Sequence, residues 1–220
     1  GLAQTRPDLV TLTITGDGDG LSIGLSHLLH MIRRDINTTV LLLNNKIYGL
    51  TKGQNSPTTQ AGLKTKMTLH GHQERSLELA SLALSAKGTF YGRCYDTQGA
   101  LLKRLITAGV AHQGCAVIEI YQSCPVFNKS AFIAEDKKNS SHSPLALMWP
   151  QEKIAYQEGS LEYVQGQWRS CAHGLYKPSL GALYELLDQE EICPLGLLWH
   201  NQSSCIEMPE GKDHLLDIEQ

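Results

Sequence analysis

The sequence has little of several features that would place it in a specialised class of protein. Only 8 residues are proline and 6% are aromatic, while 41% are hydrophobic, which excludes collagen-like and wholly disordered chains. The 6 cysteines are scattered without a Cys-x-x-Cys pair, so a secreted disulfide scaffold is excluded and a reducing, cytoplasmic location is predicted. No apolar run approaches the roughly 18 residues that cross a bilayer, so we expect no membrane partner.

Charge of one sign is also lacking. The chain has 19 Lys and Arg residues against 22 Asp and Glu residues, which gives a formal net charge of −3. Such a balance provides no general attraction to a phosphate backbone, so nucleic acid is not expected as a partner.

Strand and helix patterns alternate along the chain. They predict strands over 9–15, 39–43, 89–95, 115–121 and 194–199, and helices over 21–36, 74–87, 98–110 and 179–190. This alternation predicts an α/β fold, in which a mainly parallel sheet carries helices on both faces. We expect residues 1–220 to form a single domain with a C-terminal extension from about residue 145, and long loops over 48–73 and 122–146.

A glycine-rich loop, Gly16-Asp17-Gly18-Asp19-Gly20, follows the first predicted strand. It differs from a dinucleotide-binding loop, because the third glycine of that motif would fall on Leu21. Two aspartates would repel a bare pyrophosphate at the start of the next helix. They suit a divalent cation that lies between carboxylate and phosphate.

The missing oxygen ligands are expected at a neighbouring strand end. Asn44 and Asn45 close the next predicted strand, with 25 residues between Gly18 and Asn44. Parallel strands that one crossover helix connects bring their carboxyl ends together, so Asp17 and an Asn amide can share one Mg²⁺. The carbonyl of a residue just beyond, such as Ile47, can complete the set.

A Gly-Asp-Gly sequence followed by about 25 residues and Asn-Asn resembles the thiamine diphosphate motif. Within that group, residues 16–24 and 44–58 resemble the β subunit of 2-oxoacid:ferredoxin oxidoreductases. Residues 119–128 resemble the segment in which that family places a cysteine ligand of its [4Fe–4S] cluster. The resemblance extends from about residue 1 to about residue 200, and it implies the thiamine diphosphate-binding fold.

The resemblance also implies roles for individual residues. Lys52 would be the catalytic residue, near the substrate carboxylate, and Cys124 would be one thiolate ligand of the cluster. Asp17, Asn45 and the Ile47 carbonyl would bind Mg²⁺, and the thiamine diphosphate would contact Gly16, Gly18, Asp19, Gly20, Gly49, Leu50 and Thr51.

The implied reaction is the oxidative decarboxylation of a 2-oxoacid to an acyl-CoA, with electrons passing to ferredoxin. Lys52 favours 2-oxoglutarate, and pyruvate stays open. An α subunit of the same enzyme would supply the glutamate that activates the cofactor, so the expected partners are that subunit, ferredoxin, the 2-oxoacid and CoA.

The resemblance leaves alternatives open. The family's other three cluster cysteines precede the glycine loop, yet only 15 residues precede Gly16, so we expect the N-terminal segment to be absent from the chain as given. One alternative is therefore a non-catalytic binding or assembly module that lacks the cluster segment. The other is a thiamine-dependent decarboxylase or synthase, which needs no cluster.

Overall fold

The computed structural model describes most of the first 132 residues and separate segments beyond them. The described ranges are 1–65, 67–129, 131–132, 145–148, 154–156, 159–164, 167–171, 180–187 and 193–201. The helices are α1 (Leu2–Thr5), α2 (Asp17–Leu21), α3 (Leu25–Arg33), α4 (Leu79–Ser85), α5 (Gly99–Ala111) and α6 (Leu180–Leu187). The strands are β1 (Leu12–Gly16), β2 (Thr38–Asn44), β3 (Phe90–Tyr95), β4 (Cys115–Tyr121), β5 (Leu145–Met148), β6 (Ile154–Tyr156), β7 (Gly159–Val164), β8 (Gln167–Cys171) and β9 (Cys193–His200).

These strands form one sheet in the order β1-β2-β4-β3-β9-β5-β6-β7-β8. The first four are mutually parallel, and β5 runs parallel to β9. Strand β9 is antiparallel to β3, and β6, β7 and β8 continue as an antiparallel meander. The predicted α/β fold is confirmed, and the meander occupies the region predicted only as a C-terminal extension.

Both faces of the parallel strands β2, β3 and β4 are buried because successive side chains alternate between two cores, whereas the edge strand β1 is largely exposed. In β2, Val40 and Leu42 belong to the core that includes Leu28 and Ile32 of α3. Leu41 points the other way, into the core that contains Leu105 of α5. Helices therefore cover both faces, as predicted. None of the described helices is long and apolar enough to cross a bilayer.

The main correction concerns the glycine loop and the helix after it. The predicted loop is instead the end of β1 followed at once by the short helix α2, and the predicted helix over 21–36 is interrupted between Leu21 and Leu25. The break occurs where Gly24 packs on α2, since a Cβ there would lie 2.8 Å from the Asp19 carbonyl oxygen. Helix α3 ends at Arg33, and Asp35 adopts a φ of 49°.

The carboxyl ends of β1, β2 and β4 lie side by side. Gly16 is paired with Leu43, and Asn44 with Tyr121. The register continues past β4, because the Gln122 amide donates to the Asn44 carbonyl oxygen at 2.9 Å. The segments that follow these three strands, which contain most of the predicted site residues, therefore begin at one edge of the sheet.

Candidate functional site

Asp17 is a buried carboxylate at the start of α2, with only 2% of the residue exposed. Its Oδ2 accepts a hydrogen bond from the Thr58 hydroxyl at 2.6 Å, and its Oδ1 accepts a long one from the Asn45 amide at 3.4 Å. Burial raises the pKa of Asp17, and hydrogen bonds from Ser56, Thr58 and the Asn45 backbone offset this only in part. No Lys or Arg among the described residues forms an ion pair with it.

The segment after β2, residues 45–47, which we call the candidate metal-binding segment, contains the other two predicted Mg²⁺ ligands, and the Asn45 backbone amide contacts Asp17. The Asn45 side-chain oxygen accepts from the Ile47 amide at 3.1 Å, which forms an Asx turn. Lys46, between them, has a φ of 58°, and its carbonyl oxygen accepts from the Thr59 hydroxyl at 2.8 Å. Ile47 is 2% exposed, so its backbone is held in a fixed position.

These residues fit a magnesium ion. A carboxylate, a side-chain amide and a backbone carbonyl are hard oxygen donors, which Mg²⁺ prefers. A buried carboxylate without a positively charged partner is energetically costly, and a bound cation would remove that cost. The site therefore has both the donor chemistry and the unbalanced charge that a divalent cation requires.

The glycines of the loop differ in their surroundings. A Cβ on Gly18 would lie 2.5 Å from the Tyr48 ring, and the Tyr48 hydroxyl donates to the Gly18 carbonyl oxygen at 2.5 Å. A Cβ on Gly20 would lie 2.9 Å from the Thr15 side chain. A Cβ on Gly16 would meet nothing within 4 Å, which leaves space for a ligand there. Asp19 is exposed, on the opposite side of α2 from Asp17.

The predicted cofactor and substrate residues after Tyr48 form an exposed turn. The Lys52 amide donates to the Gly49 carbonyl oxygen at 3.0 Å, and Leu50 is 94% exposed. Lys52 itself is exposed and has a φ of 67°. No hydrogen bond or ion pair in the described part of the chain joins this turn, which includes Thr51, to Asp17.

Cys124 lies in a turn that is connected to the candidate metal-binding segment. Within this turn the Asn128 side-chain amide donates to the Asn45 carbonyl oxygen at 3.1 Å, and Phe127 packs 3.2 Å from the Cβ position of Gly53. The Phe127 amide donates to the Cys124 sulfur at 3.4 Å. Partial burial tends to raise the pKa of Cys124, but hydrogen bonds from the amides of three following residues outweigh it and lower the pKa.

Of Cys94, Cys115 and Cys124, only Cys124 is accessible as a ligand for an iron–sulfur cluster. Cys94 and Cys115 are completely buried in the cores, and burial raises the pKa of each to about 12. No three His, Cys, Asp or Glu side chains converge within the described ranges. The remaining ligands of a [4Fe–4S] cluster would have to come from elsewhere.

The sequence analysis missed several polar residues that surround Asp17. We call the hydrogen-bonded series Arg93, Glu119, Asn44, Thr58 and Asp17 the buried polar network. Each member is at most 4% exposed. A signal was available, because Arg93 and Glu119 are charged residues within otherwise apolar neighbouring strands, and such residues are rarely buried unless they are paired.

A pocket of about 680 Å³ adjoins this edge of the sheet. Its wall includes Ser22 after α2, Tyr48, Ser56 and His72. Tyr48 donates a hydrogen bond to Gly18, and Ser56 contacts Thr58, which is hydrogen-bonded to Asp17. The pocket therefore opens next to the candidate metal site.

Comparison with known families agrees with this geometry. The family described as "Thiamine pyrophosphate enzyme, C-terminal TPP binding domain" matches residues 1–120. That range contains α2, the candidate metal-binding segment and the whole of β4 except its last residue.

Individual relatives carry more specific names. The chain is 49% identical over 140 residues to "2-oxoglutarate oxidoreductase subunit KorB" of Mycobacterium tuberculosis, which covers 64% of the chain and 38% of that protein. It is 33% identical over 203 residues to "2-oxoacid:ferredoxin oxidoreductase 2, subunit beta" of Aeropyrum pernix, covering 92% and 60%. The chain thus spans 38% to 60% of the length of these two relatives.

A solved structure is also similar. It is named "2-oxoglutarate:ferredoxin oxidoreductase from Magnetococcus marinus with 2-oxoglutarate, coenzyme A and succinyl-CoA bound". The TM-score is 0.71 at 28% sequence identity, and the match covers 92% of this chain and 61% of that one.

Proposed function

Because the chain belongs to the thiamine pyrophosphate enzymes, as a member of their C-terminal TPP-binding domain family, we propose that it acts in the β subunit of a 2-oxoacid:ferredoxin oxidoreductase. The reaction is the oxidative decarboxylation of a 2-oxoacid to an acyl-CoA, with transfer of electrons to ferredoxin. The names of the relatives from M. tuberculosis and M. marinus support 2-oxoglutarate as the substrate. The observation that carries the proposal is the buried Asp17 carboxylate beside Asn45, at the end of β1.

Asp17, Asn45 and the Ile47 carbonyl would hold Mg²⁺, and Mg²⁺ would anchor the cofactor diphosphate. The backbone of Gly16, Gly18, Asp19 and Gly20 would contact the diphosphate. The open space at Gly16 supports this placement. When bound, thiamine diphosphate supplies the carbanion and electron-sink chemistry that decarboxylation needs, while the chain supplies position and electrostatics.

Gly49, Leu50, Thr51 and Lys52 would line the cofactor and the substrate. The exposed turn that contains them is followed by Gly53, against which Phe127 packs. It is preceded by Tyr48, whose hydroxyl donates a hydrogen bond to Gly18. In this position the Lys52 ammonium group would bind a substrate carboxylate and so favour 2-oxoglutarate, a dicarboxylate, over pyruvate.

Cys124 would bind the [4Fe–4S] cluster through which electrons leave. Its lowered pKa supports thiolate ligation, since the thiolate is the form that binds metal. The other three thiolates would come from residues outside those described.

The remaining parts of the proposal concern the assembly. An α subunit would complete the active site, and ferredoxin would accept the electrons. The cytoplasmic location and the single domain over residues 1–220 stay predictions, and the continuity of one sheet from β1 to β9 and on to β8 supports the second.

The experiment that tests the substrate assignment compares two substitutions of Lys52 in the assembled enzyme. Lys52→Asn removes the ammonium group but tolerates the positive φ, whereas Lys52→Gly also frees the backbone. We expect both variants to lose kcat/KM for 2-oxoglutarate by about 10-fold or more, the scale of a charge-assisted hydrogen bond, and to lose less for pyruvate. Equal losses for both substrates would contradict the role of Lys52.

Reconstitution tests the reaction itself. Wild-type enzyme with CoA and a low-potential one-electron acceptor should form succinyl-CoA from 2-oxoglutarate. Absence of turnover with every 2-oxoacid, despite bound thiamine diphosphate, would favour the non-catalytic module.

A further inference from the structure

Glu119 is an unusual residue for its position in the sheet. It lies in β4, a central parallel strand with the sequence Cys-Ala-Val-Ile-Glu-Ile-Tyr, and it is 2% exposed. Arg93 is its direct neighbour on β3, and the two form a buried ion pair at 2.8 Å. Stability alone rarely explains such a pair, because replacing both residues by an apolar pair of similar volume is often neutral, although removing one partner is destabilising.

Both oxygens of Glu119 are fully engaged. Oε2 accepts from Arg93 Nε at 2.8 Å and from the Tyr91 hydroxyl at 2.5 Å. Oε1 accepts from Asn44 Nδ2 at 2.8 Å. A carboxylate only accepts hydrogen bonds, so it fixes which end of the Asn44 amide faces it.

The opposite end of the Asn44 amide faces the candidate metal-binding segment. Asn44 Oδ1 accepts from the Lys46 amide at 3.1 Å and lies 3.0 Å from the Thr58 hydroxyl oxygen. That hydroxyl has a single proton, which Asp17 Oδ2 at 2.6 Å and Asn44 Oδ1 share as acceptors, so the position of Asn44 Oδ1 affects where the hydroxyl points. The orientation of one amide is therefore set by Glu119 on one side, and on the other side it contacts the hydroxyl that holds Asp17.

We propose that Glu119 is a positioning residue of the metal site, which acts through Asn44 and Thr58 to hold the Asp17 carboxylate in the orientation that binds the cation. This inference rests on the proposed Mg²⁺–diphosphate site. Partners of this kind, which orient a metal ligand without touching the metal, typically change metal affinity by about 10- to 100-fold.

Glu119→Gln tests the network with almost no change of shape. A glutamine must direct its NH₂ group either at Asn44 Nδ2 or at the donors of Arg93 and Tyr91, so one hydrogen bond becomes a clash between donors. Rotation of the Asn44 amide would move the clash to the Lys46 amide. With or without that rotation, the donor clash at Asn44 disturbs the Asn44 amide, which contacts Thr58.

Glu78→Gln is the matched control. Glu78 also pairs with Arg93, and its other oxygen caps α4 by accepting from the Ser81 amide at 2.6 Å. The control removes the same charge from the same arginine, but it does not contact Asn44 or Thr58. Both substitutions are expected to lower the thermal unfolding midpoint.

The measurement uses the full-length subunit assembled with its α partner. Mn²⁺ replaces Mg²⁺ as a paramagnetic probe, and its dissociation constant is measured by electron paramagnetic resonance in the presence of thiamine diphosphate. We expect Glu119→Gln to raise this constant about 10-fold or more, and Glu78→Gln to leave it near the wild-type value.

Thr58 provides a second, independent pair of variants. Thr58→Val removes the hydroxyl at nearly constant volume and should weaken Mn²⁺ binding, whereas Thr58→Ser keeps the hydroxyl and should restore it. Glu119→Gln and Thr58→Val act on the same network. The double variant should therefore have a Mn²⁺ dissociation constant little higher than that of either single variant.

Two results would overturn the inference while leaving the proposed function intact. One is wild-type Mn²⁺ affinity in both Glu119→Gln and Thr58→Val, and the other is an equal loss in Glu78→Gln, which would show that affinity merely follows stability. A wild-type complex that binds no Mn²⁺ with thiamine diphosphate would instead overturn the proposed function and this inference together.

Discussion

The two ends of the parallel strands β2, β3 and β4 each bury polar side chains, but the two groups are balanced differently. At the amino end, which we call the amino-end cluster, Asp35 Oδ1 accepts from the Thr89 hydroxyl at 2.6 Å and from the Cys115 amide at 2.8 Å. The His112 ring nitrogen Nε2 lies 2.8 Å from the same hydroxyl. These bonds tie together the segments that lead into β2, β3 and β4.

At the carboxyl end, negative charge is in excess. Three carboxylates, those of Asp17, Glu78 and Glu119, belong to a hydrogen-bonded series that contains one cation, Arg93. The amino-end cluster contains a single carboxylate, and it leaves Asp35 Oδ2 and His112 Nδ1 without a hydrogen-bond partner among the described residues. The carboxyl-end network, by which we mean the buried polar network together with Glu78, has the larger excess of negative charge and is better suited to an added divalent cation. Substitutions at the amino end should change stability, and those of Asp17, Thr58 and Glu119 at the carboxyl end should change binding.

The largest contrast is expected between the cysteines at the two ends of β4. Burial raises the pKa of Cys115 to about 12 from an ordinary 9.0, while the pKa of Cys124 is lowered, so Cys124 has by far the larger thiolate population. Iodoacetamide should therefore label Cys124 long before Cys115 in the native, cluster-free subunit, as measured by peptide mass spectrometry. Similar labelling rates would contradict the structure, and labelling after denaturation is the control.

The next contrast compares the aspartates of the two ends. Asp17→Asn should weaken Mg²⁺-dependent thiamine diphosphate binding by about 100-fold or more, because it removes the only charged ligand of the proposed site. Asp35→Ala should leave binding unchanged and cost about 1–3 kcal/mol of unfolding free energy, because the Thr89 hydroxyl and the Cys115 amide lose their acceptor. Calorimetric titration and denaturant unfolding measure the two effects. The comparison would be refuted if Asp17→Asn kept its cofactor affinity and Asp35→Ala lost it.

Glycines provide a smaller contrast. Gly16→Ala fits the free structure, since nothing lies within 4 Å of the added Cβ, so it should keep its stability and lose cofactor affinity about 10-fold where the diphosphate comes close. Gly114→Ala at the amino end would place its Cβ 2.5 Å from Asp35 at a φ of 139°, and it should lose stability and keep its affinity. Thermal unfolding with and without cofactor separates the two effects. Unchanged cofactor affinity in Gly16→Ala would contradict the proposed position of the diphosphate beside Gly16.

The smallest effect concerns pH. Burial and the neighbouring His200 lower the pKa of His112 below its ordinary 6.5, despite the opposing effect of Asp35. The unfolded chain therefore binds a proton first on acidification, so stability should fall as the pH drops from about 6.5 through the folded pKa. His112→Gln should reduce this slope of the unfolding midpoint between about pH 8 and about pH 5. The pKa of His200 is lowered as well, so part of the slope should remain. An unchanged slope would mean that His112 does not contribute.

Much of the fold could be predicted from the apolar strands. The strand predicted over 115–121 has the observed bounds of β4, and the helix predicted over 98–110 differs from α5 by one residue at each end. The break between α2 and α3 could not be predicted, because it depends on Gly24 packing on the Asp19 carbonyl oxygen. The helix predicted over 74–87 is observed only as α4. It begins at Leu79 because Glu78 is its N-cap, with a side chain that accepts a hydrogen bond from the Ser81 amide.

The site was predicted in part. Strand-end geometry predicted that Asn45 lies beside Asp17, and the Asn45 backbone amide does contact the Asp17 carboxylate, with Ile47 bonded in turn to Asn45. The roles of these residues stay predictions. The parts missed were Thr58 and Glu119, because their contacts depend on how a loop folds over the sheet and on which strands become neighbours. Only the charges of Arg93 and Glu119 in otherwise apolar strands pointed to them.

The most direct test of the account is a calorimetric titration of thiamine diphosphate into the wild-type subunit assembled with its α partner, with Mg²⁺ and with a chelator. We predict tight binding with Mg²⁺ and a loss of about 100-fold or more when the metal is removed, since the diphosphate would then face the uncompensated Asp17 carboxylate. Equal affinity under both conditions would contradict the assignment of the carboxyl-end network to a metal-dependent cofactor site.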